Sequence, residues 1–276
     1  MNSTNLETKV NEMSGKYKKV MLTSDYHIPY MKQESYNITK KFAKKYKPNI
    51  FIINGDLIDF YSISSFDKKP DRADTVRTDI TQASKVLKDL RKILGNKTEM
   101  YLLVGNHEAR FQKYLWRHAP ELYGVSGLTL PEQLKLKDLN IEYVDADNDY
   151  WAETKGHLKI GDFVIMHGDS KLNGASYSKY SCYGLKNTML NGIQQNVAQG
   201  HSHRLGLFYH NDFVGLELGC LCKTPDMSNW QNGFGTFEVY NNKSYNHRVY
   251  KIKGNQLVVN GSVIDGKKRV IKKRKH

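Results

Sequence analysis

The sequence predicts an α/β protein whose strands hand polar side chains to one edge of a sheet. Three observations predict it. Short apolar runs alternate with stretches of helical periodicity, the pattern of β-α-β units. The run IFII (Ile50–Ile53) is apolar at every position, as a strand buried on both faces is. Finally, five such runs each end in Asp, Asn or His: VMLTSDYH (Val20–His27), IFIINGDLID (Ile50–Asp59), MYLLVGNHE (Met100–Glu108), FVIMHGD (Phe163–Asp169) and NVAQGHSH (Asn196–His203). Open α/β sheets place their ligand sites beyond the carboxyl ends of the strands. A buried carboxylate there is costly unless it is paired or binds a cation. Five such exits in order point to a shared metal site.

The first strand is expected over about Lys19–Ser24. Asp25 and His27 follow two residues apart, so in extended backbone they share a side and can reach one ion. Ile38, Phe42 and Tyr46 then mark one face of a helix that Lys47-Pro48 closes. Gly55 lets the chain turn as the Ile50 strand ends. Residues 60–75 read as a long polar loop over the same edge. Val76, Ile80, Ala83, Leu87, Leu90 and Leu94 define an amphipathic helix ended by Gly95-Asn96. A short helix is expected over Glu108–His118 and another near Pro131–Lys137. Hairpins follow: Gly161-Asp162 turns into FVIMHGD, Leu205–Tyr209 pairs with Phe213–Leu218, Gly235–Tyr240 with Tyr245–Lys253, and a last one turns at Asn260-Gly261.

The metal-type residues run from position 25 to 203 with no Pro/Gly/Ser-rich linker between them, which predicts one domain over 18–265. Residues 1–17 read as a flexible arm and 266–276 as a basic tail; Lys267–His276 alone holds seven Lys or Arg. The net charge of +14 predicts attraction to polyanions, nucleic acid foremost. The tail itself fits a solvated end as well as a nucleic-acid arm. Three cysteines make no disulfide framework, and Cys220 and Cys222 read as buried core thiols. No signal peptide or run of ~20 apolar residues is visible, so no membrane contact and a cytoplasmic location are expected.

The ordered set DxH (Asp25, His27), GDxxD (Gly55, Asp56, Asp59), GNHE (Gly105–Glu108), HGD (His167–Asp169) and GHxH (Gly200, His201, His203) resembles the calcineurin-like metallophosphoesterase superfamily over about residues 18–210. The resemblance implies a four-layer α/β/β/α sandwich of two mixed sheets flanked by helices, with two divalent metal ions at their carboxyl edge. It implies that Asp25, His27, Asp56 and His203 hold one ion, that Asp56, Asn106, His167 and His201 hold the other, and that Asp56 bridges them. His107 would contact neither ion and face the substrate. Mixed imidazole and oxygen donors suit Mn²⁺ first, with Fe or Zn²⁺ as alternatives. Such a pair, roughly 3.5–4 Å apart, would activate a water and clamp phosphoryl oxygens for in-line attack. His107 could then protonate the leaving oxygen. Asp59 is left to buttress a ligand or cap the next segment.

The expected substrate is a phosphoester, with nucleic acid or a nucleotide ahead of other classes. Arg110 is a candidate phosphate contact, although a solvent-facing helix position suits it equally. In the stretch Lys171–Lys186, Tyr177, Lys179 and Tyr180 interleave cations with stackable rings, as a nucleic-acid surface would; a helix packing its tyrosines on the core would look the same. GNHEAR resembles the corresponding block of Ser/Thr phosphoprotein phosphatases. Those carry Arg directly after GDxxD, where this chain has Phe60, so that class ranks lower. Recombination-repair nucleases usually carry Asp where this chain has Glu108. A small-molecule phosphatase or phosphodiesterase is the alternative, and a non-catalytic nucleic-acid-binding protein ranks last.

Overall fold

The computed structural model describes residues 9–11, 17–69, 71–145, 156–168, 182–191, 194–226 and 228–267. The chain opens with strands β1 (Lys9–Asn11) and β2 (Lys18–Thr23), then helix α1 (Gln33–Tyr46) and strand β3 (Ile50–Asn54). Helix α2 (Val76–Leu94), strand β4 (Glu99–Leu103), helix α3 (Glu108–His118), the four-residue helix α4 (Leu130–Gln133) and strand β5 (Ile141–Val144) follow. Strands β6 (Leu158–Ile160) and β7 (Phe163–Met166), helix α5 (Tyr183–Asn191) and strand β8 (Asn196–Gln199) come next. Three hairpins end the described chain: β9 (Leu205–His210) with β10 (Phe213–Leu218), β11 (Gly233–Tyr240) with β12 (Lys243–Lys251), and β13 (Gln256–Val259) with β14 (Ser262–Asp265).

Among the described residues the strands form two six-stranded sheets, ordered β12-β11-β2-β3-β4-β5 and β1-β6-β7-β8-β10-β9. Strands β2 to β5 run parallel, while β11 and β12 extend their sheet antiparallel. In the second sheet β7, β8 and β10 are parallel to one another, β6 runs antiparallel to β7 and β9 antiparallel to β10, and β1 lies parallel to β6. Burial on both faces explains the unbroken apolar runs. Phe51 and Ile53 point to the side of α1 and α2, with Ile38, Phe42, Leu87 and Leu90. Ile50 and Ile52 point the other way, into a core between the sheets with Ile160, Ile165, Leu216 and Phe237. Phe163 and Phe237 stack across that gap with ring centroids 4.3 Å apart. Leu185 and Met189 of α5 cover the outer face of the second sheet against Val164, Met166 and Val197. The result is the α/β/β/α sandwich the sequence led us to expect.

The helices end where their signals lie. Thr75 caps α2 through a reciprocal pair of hydrogen bonds with Thr78, and Gly95 closes it. Lys47 turns left-handed after α1 and Pro48 follows. Two expectations need correction. The helix expected near Pro131–Lys137 stops at Gln133: the Thr129–Glu132 capping box starts it, and Lys135 at φ 54° breaks it. Residues Lys9–Asn11, expected within a flexible arm, form β1 and pair in parallel with Leu158–Ile160, adding an edge strand to the second sheet. At the other end Asn37 donates to the Gly266 carbonyl, so the ordered chain extends past Asp265; residues 268–276 lie outside the described part. Cys220 and Cys222 are buried, as expected. Among the described residues no helix is long and apolar enough to cross a membrane.

Asp79, in the first turn of α2, is fully buried, and neither carboxylate oxygen has a hydrogen-bond partner among the described residues. Burial, reinforced by Asp74 and Asp59, pushes its carboxyl up to about 7. The folded chain then keeps a proton that the unfolded chain, with a carboxyl near ~3.9, has released. This group's stability contribution is full below about pH 4 and is lost as pH rises through about 7. The Asp79→Asn variant should match the native chain in Tm near pH 4 and exceed it near pH 8 (about one unit above the folded value). A Tm difference that does not change with pH would refute this.

Candidate metal centre

The parallel strands β2, β3 and β4 end at the same edge, and so do β7 and β8 of the facing sheet. The residues just past these ends are therefore brought together. Asp25 and His27 follow β2, Asp56 follows β3, Asn106 and His107 follow β4, His167 follows β7, and His201 and His203 follow β8. Two sets of their side-chain donors each lie within 4.8 Å, Asp25, His27 and His203 in one, and Asp56, His167 and His201 in the other; His27 also lies within that distance of Asp59 and His107. Asn106 joins the second set, its Oδ1 3.3 Å from His167 Nε2. Asp56 Oδ2 lies between the two, 3.2 Å from His167 Nε2 and 3.6 Å from His27 Nε2.

The backbone holds these groups in an uncommon conformation. Asp25, His27, Asp56, His201 and His203 all have φ between 47° and 65°. Left-handed non-glycine residues cost about 1–3 kcal/mol each and persist where the surroundings over-determine them. The intervening glycines allow the close approach. A Cβ at Gly55, itself at φ 77°, would lie 2.4 Å from His167 Nδ1, and one at Gly105 would lie 2.2 Å from Asp56 Oδ1. Outer contacts then set the ring tautomers. His167 Nδ1 donates to the Asn54 carbonyl at 2.8 Å, and His27 Nδ1 to Asp59 Oδ1 at 3.0 Å, which turns both Nε2 lone pairs inward. Asn54 Nδ2 also donates to the Met166 carbonyl, tying the two sheets together at the site.

The donor set fits cations. The Nε2 atoms of His27 and His203 face each other at 3.0 Å. Asp25 Oδ1, buried 3.1 Å from His203 Nε2, has no aligned hydrogen-bond donor among the described residues. Lone pairs converging in a buried space are what a divalent ion with nitrogen and oxygen ligands requires. In the metal-free chain the buried charges compensate one another. Burial opposes ionisation of Asp56, yet His167, His107 and His27 hold its carboxyl well below the usual range. Burial likewise opposes charge on His167, but Asp56 raises it to about 9. Burial and the neighbouring His167 push His201 down to about 4, leaving it neutral and free to ligate. His203 additionally lies within 4.8 Å of the Cys220 and Cys222 thiols, a juxtaposition that the spacing of the cysteines does not reveal.

His107, at the start of α3, sits beside both sets. Its backbone N–H donates to Asp56 Oδ1 at 3.0 Å and its Nδ1 to the Asp59 carbonyl at 2.8 Å, so Nε2 is the ring atom left for chemistry. Arg110 is in the site: one guanidinium nitrogen donates to the Asp59 carbonyl at 2.8 Å and another to His107 Nε2 at 3.0 Å. Asp59 acts as a buttress, in contact with both His27 and His107. Tyr177, Lys179 and Tyr180 lie outside the described residues.

Several contributors escape sequence reasoning. Glu108 is buried and accepts backbone N–H groups from Asp56 and Gly105 with one oxygen and from Ile58 with the other, stapling two metal loops together. Its place directly after GNH is the signal that could have found it. Glu108→Gln puts an amide donor against one of these N–H groups. It should cost about 1–3 kcal/mol in urea unfolding of the metal-free chain, and an unchanged midpoint would contradict the staple. Phe60, at the position where Ser/Thr phosphoprotein phosphatases carry Arg, is fully buried and stacks on Phe111 at 5.7 Å. A second cation near that edge, besides Arg110, is Arg72, which lies over the rings of Tyr61 (3.3 Å) and Tyr30 (4.6 Å), pairs with Asp74 at 2.8 Å and is 4.0 Å from Asp59 Oδ2. Nothing in the polar loop singles it out from sequence.

Two metal-type donor sets at the shared edge of a two-sheet sandwich define a metallohydrolase-like architecture. The model of the calcineurin-like phosphoesterase family matches residues 18–210, and the chain belongs to that family. Its relatives include the Gene 54 proteins of two mycobacteriophages. That of phage D29 is 25% identical over 268 residues, covering 89% of this chain and 98% of the relative. That of phage L5 is 24% identical, with the same coverages. Among solved structures, Vacuolar Protein Sorting 29 from Cryptosporidium parvum is similar at 16% identity and TM-score 0.45, covering 90% of this chain and 98% of that one. A novel archaeal phosphodiesterase is similar at 17% identity and TM-score 0.43, covering 85% and 99%.

Proposed function

We propose that this chain is a phosphoester hydrolase working with two divalent ions, Mn²⁺ foremost and Fe or Zn²⁺ as alternatives, and that its substrate is a nucleic-acid phosphodiester or terminal phosphate. The observation that carries the reading is the convergence of Asp25, His27 and His203 beside Asp56, His167 and His201, with Asn106 completing the second set. The ions, when bound, would polarise phosphoryl oxygens and supply an activated water. The protein's own groups do the rest. Asp56 lies between the sets and keeps its charge because three imidazoles surround it. His107, with Nδ1 anchored on the Asp59 carbonyl, presents Nε2, which in the doubly protonated ring, freed from Arg110, would give its proton to the leaving oxygen. Arg110 holds that nitrogen in the free protein, and a phosphoryl oxygen would compete for its guanidinium.

Charge supports nucleic acid as the substrate. The chain carries +14, Arg72 and Arg110 stand at the site's edge, and a groove of about 1070 Å³ between α1 and β14 is lined by Lys40, Lys41, Lys44, Lys45 and Lys267. The test is turnover by metal-stripped protein, with Mn²⁺, Fe²⁺ or Zn²⁺ restored, on bis-p-nitrophenyl phosphate, p-nitrophenyl phosphate and single-stranded DNA. We expect Mn²⁺-stimulated action on DNA. Turnover of the small esters with DNA left intact would overturn the substrate, and no turnover with any metal would overturn the hydrolase reading.

A further inference from the structure

The centre lies within a row of rings and cations. Trp230 packs edge-on against His203 with centroids 3.9 Å apart. His203 is 4.9 Å from His27, and His27 is 4.4 Å from His107. Arg110 hydrogen-bonds His107 and lies 6.0 Å from the Phe66 ring centre. The row thus begins and ends in a large aromatic side chain that the core does not claim: Trp230 is 36% exposed and Phe66 70%. The backbone around each is tied down by hydrogen bonds. Gln231, next to Trp230, donates its N–H to the His203 carbonyl at 2.8 Å and accepts from Leu205 N–H at 3.1 Å. The loop bearing Phe66 is gathered around Tyr61, whose hydroxyl donates to the Asp67 carbonyl and accepts from Lys69 N–H. Lys68 donates to the Phe66 carbonyl at 2.9 Å.

We propose that Phe66 and Trp230 are base-stacking platforms, and that a single nucleic-acid strand lies along this row with a phosphate at His27 and His107 and bases to either side on the two rings. The proposal rests on the nucleic-acid reading above and specifies how that substrate is held. Every base offers a π-face, so stacking of this kind secures a strand without reading its sequence. Arg110 and Arg72 sit between and beside the platforms, where the backbone charge would lie. The two rings touch substrate only through its bases, so they contribute to binding rather than to the chemical step.

The test compares a short single-stranded thymidine oligonucleotide with the same backbone in which every base is replaced by an abasic tetrahydrofuran residue. Phe66→Ala and Trp230→Ala should each raise KM for the base-bearing strand about 5- to 150-fold, with kcat kept and bound metal unchanged. On the abasic strand the variants and the native chain should be equal, and Trp230→Phe should recover most of the loss. Equal losses on both strands would show that Trp230 merely props His203 and Phe66 merely shapes its loop, overturning the proposal; so would unchanged KM on both. If the native chain turns over bis-p-nitrophenyl phosphate but neither strand, the proposal and the nucleic-acid substrate fall together while the hydrolase stands. If only the base-bearing effect is missing, the platforms fall and the substrate class survives.

Discussion

Asp56→Asn is expected to remove phosphoester turnover and to lower bound divalent metal below two ions per chain, with the fold retained. Asparagine keeps an oxygen that can accept the His107 N–H, now 3.0 Å from Asp56 Oδ1, so the loop geometry survives. What is lost is the carboxylate that, among the described residues, reaches both donor sets, 3.2 Å from His167 and 3.6 Å from His27. An outer partner of a metal ligand is worth about 10–100-fold, and a ligand shared by two ions should exceed that. Metal content by elemental analysis, turnover, and the Tm of the metal-free chain separate the outcomes. Two tightly held ions and native turnover in this variant would remove Asp56 from the centre.

His107→Ala should behave in the opposite way: metal retained, turnover down by about 10²–10⁴. The substitution deletes the ring but leaves the backbone N–H that holds Asp56, so the metal donors stay where they are. The size of the loss should also depend on the leaving group. A p-nitrophenolate needs little help from an acid, whereas a sugar alkoxide needs a proton, so DNA should lose more than bis-p-nitrophenyl phosphate. Equal losses on both would reassign His107 from proton transfer to stabilising charge at the phosphoryl oxygens. A variant as active as the native chain would take it out of the mechanism.

Much of this centre was legible in the chain itself, because short parallel strands leave their carboxyl ends at one edge whatever else the fold does. Each motif stands immediately after an apolar run, so knowing that a strand precedes Asp25, Asp56, Asn106, His167 and His201 nearly suffices to group them. The same holds for helices whose ends carry their own signals, such as α2 between Thr75 and Gly95. Reasoning failed where local signals were weak or partners distant. The Pro131–Lys137 helix was cut short by a left-handed Lys135, a backbone state that a lysine does not announce. Strand β1 exists only through its pairing with Leu158–Ile160, roughly 150 residues away along the sequence.

By itself, then, the sequence determined which residue types stand at the strand exits, and with them the fold class, the family and the donor inventory. Only the tertiary structure decided what those residues meet. It made Asp59 the brace of His27 and His107 and gave Glu108 three backbone N–H groups to hold. It put Arg72 near the site's edge as a second cation besides Arg110, and it set Trp230 against His203. The physical reason is the range of the forces involved. Hydrophobic periodicity and turn chemistry act between neighbours along the chain. A hydrogen bond or ring contact acts over a few ångströms in space, between residues that the chain order leaves unrelated until the two sheets close on each other.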